Sequence, residues 1–225
     1  MWTSHVNRSK EQYMENAPYL ILAEDAEGEI QEKKSRFIAR LHKTDSEEEA
    51  SSFIQQTKKK YWDARHNCSA FVIGEHHELS RCSDDGEPSG TAGRPMLDLL
   101  INSGLHNATV VVTRYFGGVL LGTGGLVRAY QKAVQEAIDQ AHLLEMELCA
   151  PAELRIAYTE LGRIQNLMAA MQLQGELDYR EDVLISLMIP EVKKEKFLKE
   201  LTELTAGKAA IQIGDSFMHP HERGI

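Results

Sequence analysis

The sequence predicts a two-domain α+β protein in which residues 1–143 form the first domain and residues 144–225 the second. At about 150 residues per domain, 225 residues suffice for one or two domains. A stretch between Asp84 and Gly125 is rich in glycine and turn residues and has no counterpart later in the chain. It leads into a long amphipathic helix, and the residues after that helix follow a different order of strands and helices.

The composition excludes several classes of protein. The chain has 25 basic and 34 acidic side chains, a formal net charge of −9, which argues against a protein that coats nucleic acid through bulk charge but leaves room for a local basic surface. It has no run of about 18 apolar residues to span a membrane, and its N-terminus lacks the apolar core of a secretory signal. The cysteines Cys68, Cys82 and Cys149 are odd in number and widely spaced. We therefore expect reduced cytoplasmic thiols, with no disulfide scaffold, no zinc site and no membrane partner.

The first elements of the first domain are two strands and a helix. Strands at 19–23 and 31–41 are predicted on either side of a turn at residues 26–28, Ala-Glu-Gly. Ser46 and Glu49 form a capping box that opens a helix. The apolar face of that helix consists of Ala50, Phe53, Ile54, Thr57 and Tyr61.

The rest of the first domain is predicted from apolar runs and from glycine and proline. Strands at 67–73 and 79–82 flank a turn at residues 74–77, and Pro95 opens a short helix that Gly104 ends. The run ATVVVT at 108–113 is the most apolar short segment and is expected to be a central strand. A long amphipathic helix follows the glycines at 117–125.

The second domain is predicted from the order of its elements. Strand 152–158, helix 160–173, strands 176–179 and 183–189, helix 191–205 and strand 209–214 follow one another. This βαββαβ order is the signature of a ferredoxin-like domain.

The first candidate site is the segment 83–95, in which residues 84–92 are called the acidic loop. The N–H groups of its glycines and of the start of the next helix can bind an anion. We therefore predict that Thr91, Gly93 and Arg94 bind phosphate. The three carboxylates could instead hold a divalent cation such as Mg²⁺; they are Asp84, Asp85 and Glu87. An exposed turn with solubilising acidic residues is the third interpretation, and the residues alone leave all three open.

The second candidate site is the segment 114–128, which joins the central strand to the long helix and in which residues 116–125 are called the glycine turn. Ligands of α/β proteins tend to bind where such strands end, and Arg114 and Arg128 flank the turn and could hold phosphates with two hydrogen bonds each. The turn matches neither GxxxxGK[ST] nor GxGxxG. A tight turn packed against the Gly-Thr-Ala-Gly loop at 90–93 is the alternative reason for its glycines. The candidate backbone contacts are Gly117, Gly118, Gly122, Thr123, Gly124 and Gly125.

A third segment is the lysine run 58–60. Cations at the end of a helix are favourable for the helix dipole, which is sufficient reason for the run. With Tyr61, Trp62 and Arg65 beside it, the run could also extend a nucleic-acid surface.

The two candidate sites together resemble the IMPACT/YigZ family. The likeness rests on DDGEPSGTAGRP at 84–95 and on VVVTRYFGGVLLGTGGLVRAY at 110–130, with Ser-Arg-Phe at 35–37 and Ala-Arg-His-Asn-Cys at 64–68, so that it covers about residues 20 to 140. The resemblance implies an α/β sandwich with a left-handed βαβ crossover, as in a small-subunit ribosomal protein, elongation factor G, RNase PH and GHMP kinases. The ferredoxin-like second domain is similar to the last domain of elongation factor G.

The resemblance also implies a role in translation. Eukaryotic members of the family act in translational control through a regulator of an initiation-factor kinase, with the help of an RWD-type domain that this chain lacks. What carries over is contact with RNA, the ribosome or the translation machinery, without a cofactor. Arg94, Arg114 and Arg128 would contact phosphates, and Arg114 would be replaceable without unfolding the protein.

Two other functions stay open from the sequence. GTGGL at 122–126 resembles the phosphate loop of GHMP kinases, so an enzyme that acts on a phosphorylated small molecule with Mg²⁺ is one alternative. No general base or nucleophile is identifiable, so a binding protein is favoured over an enzyme. The other alternative is a protein-interaction module in which the glycines serve packing alone.

Overall fold

The computed structural model describes residues 17–222, which divide into two compact units. The first unit contains residues 19–145 and Glu222, and the second contains residues 146–221 with residues 17–18. The division therefore lies just after the predicted boundary at 143/144. Each unit combines helices with antiparallel strands, and the predicted mixed α+β class is confirmed.

The first unit is built around a five-stranded sheet. Its elements are β1 (Tyr19–Leu22), β2 (Ala26–Glu32), β3 (Ser35–Lys43), α1 (Glu47–Lys60), β4 (His66–Ile73), β5 (Leu79–Ser83), α2 (Gly93–Asn102), β6 (Ala108–Tyr115) and α3 (Thr123–Gln140). The sheet has the order β2-β3-β6-β4-β5, and every neighbouring pair is antiparallel. The apolar run of β6 occupies the middle of the sheet, as predicted. Since β3 and β4 both pair with β6, the chain from β3 through α1 to β4 is a βαβ crossover.

Helices cover both faces of this sheet. Phe37, Ala39 and Leu41 of β3 lie in the core with residues of α2 and α3. The alternate residue Arg40 faces α1 instead, where its Nη1 donates a hydrogen bond of 3.2 Å to the hydroxyl of Thr57. Because successive residues of a strand point to opposite faces, α1 lies on one side of the sheet and α2 and α3 on the other.

The turn predicted at residues 26–28 is wrong. These residues belong to β2, and the chain reverses at Lys33 and Lys34, which have φ angles of 43° and 66°. Positive φ at both central residues is typical of a two-residue hairpin turn. Gly28 is required for packing and not for a turn. A Cβ at this position would lie 2.4 Å from the backbone nitrogen of Ala137, so the glycine allows α3 to pack directly on β2.

The second unit has the predicted ferredoxin-like arrangement. Its elements are β7 (Leu143–Ile156, which begins in the first unit), α4 (Leu161–Ala170), β8 (Gly175–Tyr179), β9 (Val183–Pro190), α5 (Glu191–Thr205), β10 (Ala210–Ile213) and β11 (Phe217–Glu222). The strand order β10-β7-β9-β8 is antiparallel throughout. β11, which also pairs with β7, was not predicted. Within residues 17–222, no helix is long and apolar enough to cross a membrane.

Candidate functional site

The candidate segments meet at one end of the first unit's sheet. β3 and β4 begin there and β5 and β6 end there, since Arg36 pairs with Tyr115, His66 with Arg114, and Ser69 with Ser83. Antiparallel pairing thus brings together the hairpin turn at 33–34, the α1–β4 turn at 61–65, the acidic loop and the glycine turn. We call this end of the sheet the basic end, because of the cations described below.

A buried polar network lies beneath the basic end. Oε1 of Glu87 accepts hydrogen bonds from Nη1 of Arg114 at 2.6 Å and from the hydroxyl of Tyr130 at 2.7 Å. The side chains of Arg114 and Glu87 are only 8% and 3% exposed. Sγ of Cys68 lies 3.3 Å from the Tyr130 oxygen, and the Tyr130 ring packs edge-on against Phe37. These groups bind β6, α3, β4 and the acidic loop to one another.

The position of Arg114 changes its predicted role. Its guanidinium lies over the rings of Phe37 and Phe116 and is engaged by Glu87, so we reassign it from phosphate contact to the support of the loop. The expectation that Arg114 is replaceable without unfolding the protein conflicts with this burial, because a substitution would leave the Glu87 carboxylate buried without its cation.

The acidic loop is held by hydrogen bonds from its own backbone. The carboxylate of Asp84 accepts the N–H groups of Gly90, Ala92 and Gly93 at 2.8 to 3.0 Å. Partial burial would raise the pKa of Asp84, but these three hydrogen bonds outweigh it and lower the pKa. The Gly93 N–H group, which we expected to bind an anion, is therefore already occupied by Asp84.

The three carboxylates of the loop do not form a metal site. Asp85 accepts from the ammonium of Lys58 at 2.6 Å and from the backbone N–H of Asn67 at 2.7 Å, while Asp84 and Glu87 have the partners described above. Among residues 17–222, no three side chains of His, Cys, Asp or Glu are grouped so that they could hold a metal ion. This geometry gives no support to the Mg²⁺ interpretation of Asp84, Asp85 and Glu87, on which the enzyme alternative relied.

The other residues assigned to this loop differ in their exposure. Thr91 is buried and its hydroxyl donates to the carbonyl of Pro88 at 2.6 Å. Arg94 is exposed and its Nε lies 2.8 Å from Asp98, one turn along α2. Of these, only Arg94 presents a charge to solvent.

The glycine turn combines packing with open backbone. A Cβ at Gly117 would lie 2.0 Å from the carbonyl carbon of Lys34, so this glycine serves close packing against the hairpin turn. Gly118 and Gly122 have φ angles of 83° and 72°, which favour glycine. An added Cβ would meet nothing within 4 Å at either position, so the backbone of these two residues is not covered by neighbouring atoms.

The start of α3 lies open at the end of this turn. Gly122 precedes the helix without a side-chain cap, and no acidic residue occupies the first turn, which contains Thr123, Gly124 and Gly125. The first N–H groups of a helix have no partner within it and carry partial positive charge. The guanidinium of Arg128 lies beside Gly124 in this first turn, with Nη1 3.6 Å from the position of an added Cβ.

Exposed cations surround these segments. Within the described residues, Lys33, Lys34, Lys59, Arg65 and Arg128 are exposed and have no carboxylate partner. Lys33 and Lys34 were not among the predicted site residues, because the turn was predicted at residues 26–28. Inward-facing positions alternate along both strands, but they have even numbers up to Ile30 and odd numbers at Phe37. This change of phase is the signal that locates the hairpin.

Large apolar side chains are exposed on the same end. Phe116 and Val119 are 44% and 43% exposed, and Leu120 and Trp62 are each 83% exposed. Exposed apolar side chains grouped at one end of a sheet are typical of a binding surface. The basic end therefore offers both charge and apolar contact.

The thiols give a testable consequence of the buried network. Burial raises the pKa of Cys68 to about 12 and that of Cys149 to about 11, whereas Cys82 is exposed. Because the thiolate is the reactive form, we expect one fast thiol per chain with Ellman's reagent at pH 8, and three in urea. Cys82→Ser should remove the fast one. Rapid reaction of all three in the folded protein would contradict the burial of Cys68.

Comparison with known proteins supports one family for the whole chain. Residues 33–138 match the Impact N-terminal domain, and residues 154–208 match a domain of unknown function, DUF1949. A crystal structure of a hypothetical protein, 37% identical, covers 88% of this chain and 97% of its own with a TM-score of 0.56.

Two bacterial relatives cover most of their own length. The IMPACT family member YvyE of Bacillus subtilis is 44% identical over 198 residues, which are 88% of this chain and 91% of the relative. The IMPACT family member YigZ of Escherichia coli is 40% identical over 180 residues, 78% of this chain and 87% of the relative. The expected resemblance is confirmed, and this chain belongs to the IMPACT family.

Proposed function

We propose that this protein is a translation-associated regulator that binds RNA, free or within the ribosome, through the basic end of its first unit. The observation that carries the proposal is the grouping, at one end of a sheet, of five cations that have no carboxylate partner among residues 17–222, in a chain of net charge −9. Local charge of this kind supplies phosphate attraction that the whole molecule does not.

The phosphate contacts are assigned to groups that face solvent. Lys33 and Lys34 lie on one side of the glycine turn and Arg128 on the other. Between them lie the bare backbone of Gly118 and Gly122 and the open N–H groups at the start of α3, a position that suits a phosphate. Arg94 remains an outlying candidate, and Arg114 supports the site from beneath.

Family membership supports the biological setting. The resemblance noted in the sequence implies translational control for the family's eukaryotic members. RNA is the polyanion that translation supplies in quantity, so the setting and the charge pattern agree.

Charge reversal tests the proposal. Lys33→Glu with Lys34→Glu is expected to weaken binding of a single-stranded RNA by about tenfold or more, for all RNA sequences alike, because both lysines contact phosphates. Fluorescence anisotropy at low salt measures this. Lys43→Glu with Lys132→Glu makes the same change of charge at exposed positions elsewhere in this unit and serves as the control. Equal affinity of the two double variants would overturn the assignment.

The exposed apolar turn favours a second candidate, a protein-interaction module. Leu120 is 83% exposed beside Val119, and neither residue serves phosphate binding. If this candidate holds, Leu120→Ser abolishes capture of a protein partner that survives nuclease treatment, and the charge reversal leaves that capture intact.

A further inference from the structure

We infer that Trp62 is a stacking position for an unpaired base of single-stranded RNA, next to the phosphate contacts of the basic end. The inference rests on the proposed function and deepens it, since it names the form of nucleic acid that the surface selects. It concerns the α1–β4 turn, residues 61–65, and not the glycine turn.

The exposure of Trp62 has no explanation in packing. Its side chain is 83% exposed, although a tryptophan is the side chain that gains most from burial. The adjacent Tyr61 is half-buried at the end of α1, so the turn already has an aromatic residue facing inward.

Hydrogen bonds order the turn that carries this ring. The N–H of Tyr61 donates to the carbonyl of Thr57 at 3.0 Å, and the N–H of Ala64 donates to the carbonyl of Tyr61 at 3.1 Å. Asp63 accepts a hydrogen bond of 2.8 Å from the hydroxyl of Tyr115. Because the backbone of the turn is already ordered, binding at this ring avoids the cost of ordering a loop.

The charges around Trp62 suit a polyanion. Lys59 and Arg65 flank the turn, and both are exposed without a carboxylate partner among the described residues. Lys60 lies over the Tyr61 ring at 5.0 Å. An aromatic ring between cations is the combination by which proteins bind single strands, with bases on the ring and phosphates on the cations.

The position of the turn joins it to the phosphate contacts. Tyr115, which is bonded to Asp63, is the last residue of β6, and Phe116 begins the glycine turn directly after it. A single-stranded RNA whose phosphates contact Lys33, Lys34 and Arg128 therefore lies at the same end of the sheet as Trp62. Bases inside a duplex are stacked on one another and expose no face, so the bases of a single strand are the ones that suit this ring.

The chain itself provides the probe. It has two tryptophans, Trp2 and Trp62, so in a Trp2→Phe background all tryptophan emission comes from Trp62. Titration with a uridine 12-mer is expected to quench this emission. Trp62→Ala is expected to weaken binding of the 12-mer by about 5- to 100-fold, which is the contribution of one stacked base. Trp62→Phe should retain most of the affinity, and an RNA duplex of equal charge should bind Trp62→Ala and its parent alike.

The possible outcomes separate this inference from the proposed function. If the 12-mer binds and the Lys33→Glu, Lys34→Glu variant weakens it, but Trp62 emission and the affinity of Trp62→Ala are unchanged, the stacking inference is overturned and the proposed function stands. If Trp62→Ala loses a protein partner and keeps its RNA affinity, the turn is a protein contact and the inference is wrong. If neither the 12-mer nor the duplex binds, both proposals fail.

Discussion

Glu87→Ala is expected to destabilise the first unit by about 3–5 kcal/mol, the usual loss when one partner of a buried ion pair is removed. The substitution leaves the Arg114 guanidinium buried without a carboxylate and deprives the Tyr130 hydroxyl of its acceptor. Urea unfolding measures the loss, with labelling of Cys68 as the reporter of this unit, because that thiol is buried within the same network.

An exposed ion pair of the same unit provides the control. Arg94 and Asp98 have side chains 69% and 43% exposed, so Asp98→Ala should cost no more than about 1 kcal/mol. Glu87→Leu combined with Arg114→Met should recover most of the loss, because neither charge is then left buried alone. A midpoint for Glu87→Ala equal to that of Asp98→Ala would contradict the role assigned to the network.

Asp84→Ala is the second large effect, with an expected loss of about 2–3 kcal/mol. The carboxylate accepts three backbone N–H groups, and its removal leaves those of the buried residues Ala92 and Gly93 without a partner. Asp84→Asn, which keeps one acceptor oxygen, should fall between wild type and Asp84→Ala. Urea unfolding at pH 7 measures all three proteins.

The effect of Asp84 should depend on pH in a defined direction. Its pKa is lower in the folded protein than the ordinary 3.8, so its stabilisation is fully present above that value. The stabilisation disappears as the pH falls through the folded pKa, where the carboxylate is protonated in both states. The difference between wild type and Asp84→Ala should therefore be constant from pH 5 to 7 and shrink below about pH 4. A difference that grows on acidification would contradict the hydrogen-bonded carboxylate.

The sequence predicted the elements whose pattern is strong. The continuous apolar run of β6 is typical of a strand that is buried on both faces, and therefore of the middle of a sheet. In the second unit, the spacing of apolar residues changes clearly where each strand or helix ends. The hairpin at Lys33 and Lys34 was missed because lysine is not a usual residue at positive φ, whereas Gly28 looked like a turn. That glycine depends on the approach of Ala137, which lies more than a hundred residues away and leaves no local pattern.

The structure brings the two candidate segments together at one end of a sheet, but the sequence assigned their residues by type and not by partner. Arg114 and Glu87 are separated by 27 positions in the sequence, and no sequence pattern predicts that they form a buried ion pair. For the same reason Asp84, Asp85 and Glu87 looked like one metal site although each binds a different partner. The exposed cations Lys33 and Lys34 could be recognised only once the sheet placed their turn beside Gly117.

The salt dependence of RNA binding tests the basic end most directly. Binding of a uridine 12-mer to the full chain should weaken as salt rises, with a slope of log K against log salt of about −2 to −3.5, since each of three to five cations releases about 0.7 counterion from a single strand. Lys33→Glu with Lys34→Glu should make this slope shallower by about 1.4. An RNA that fails to bind at low salt, or that binds with a slope near zero, would contradict the assignment of the basic end to phosphate recognition.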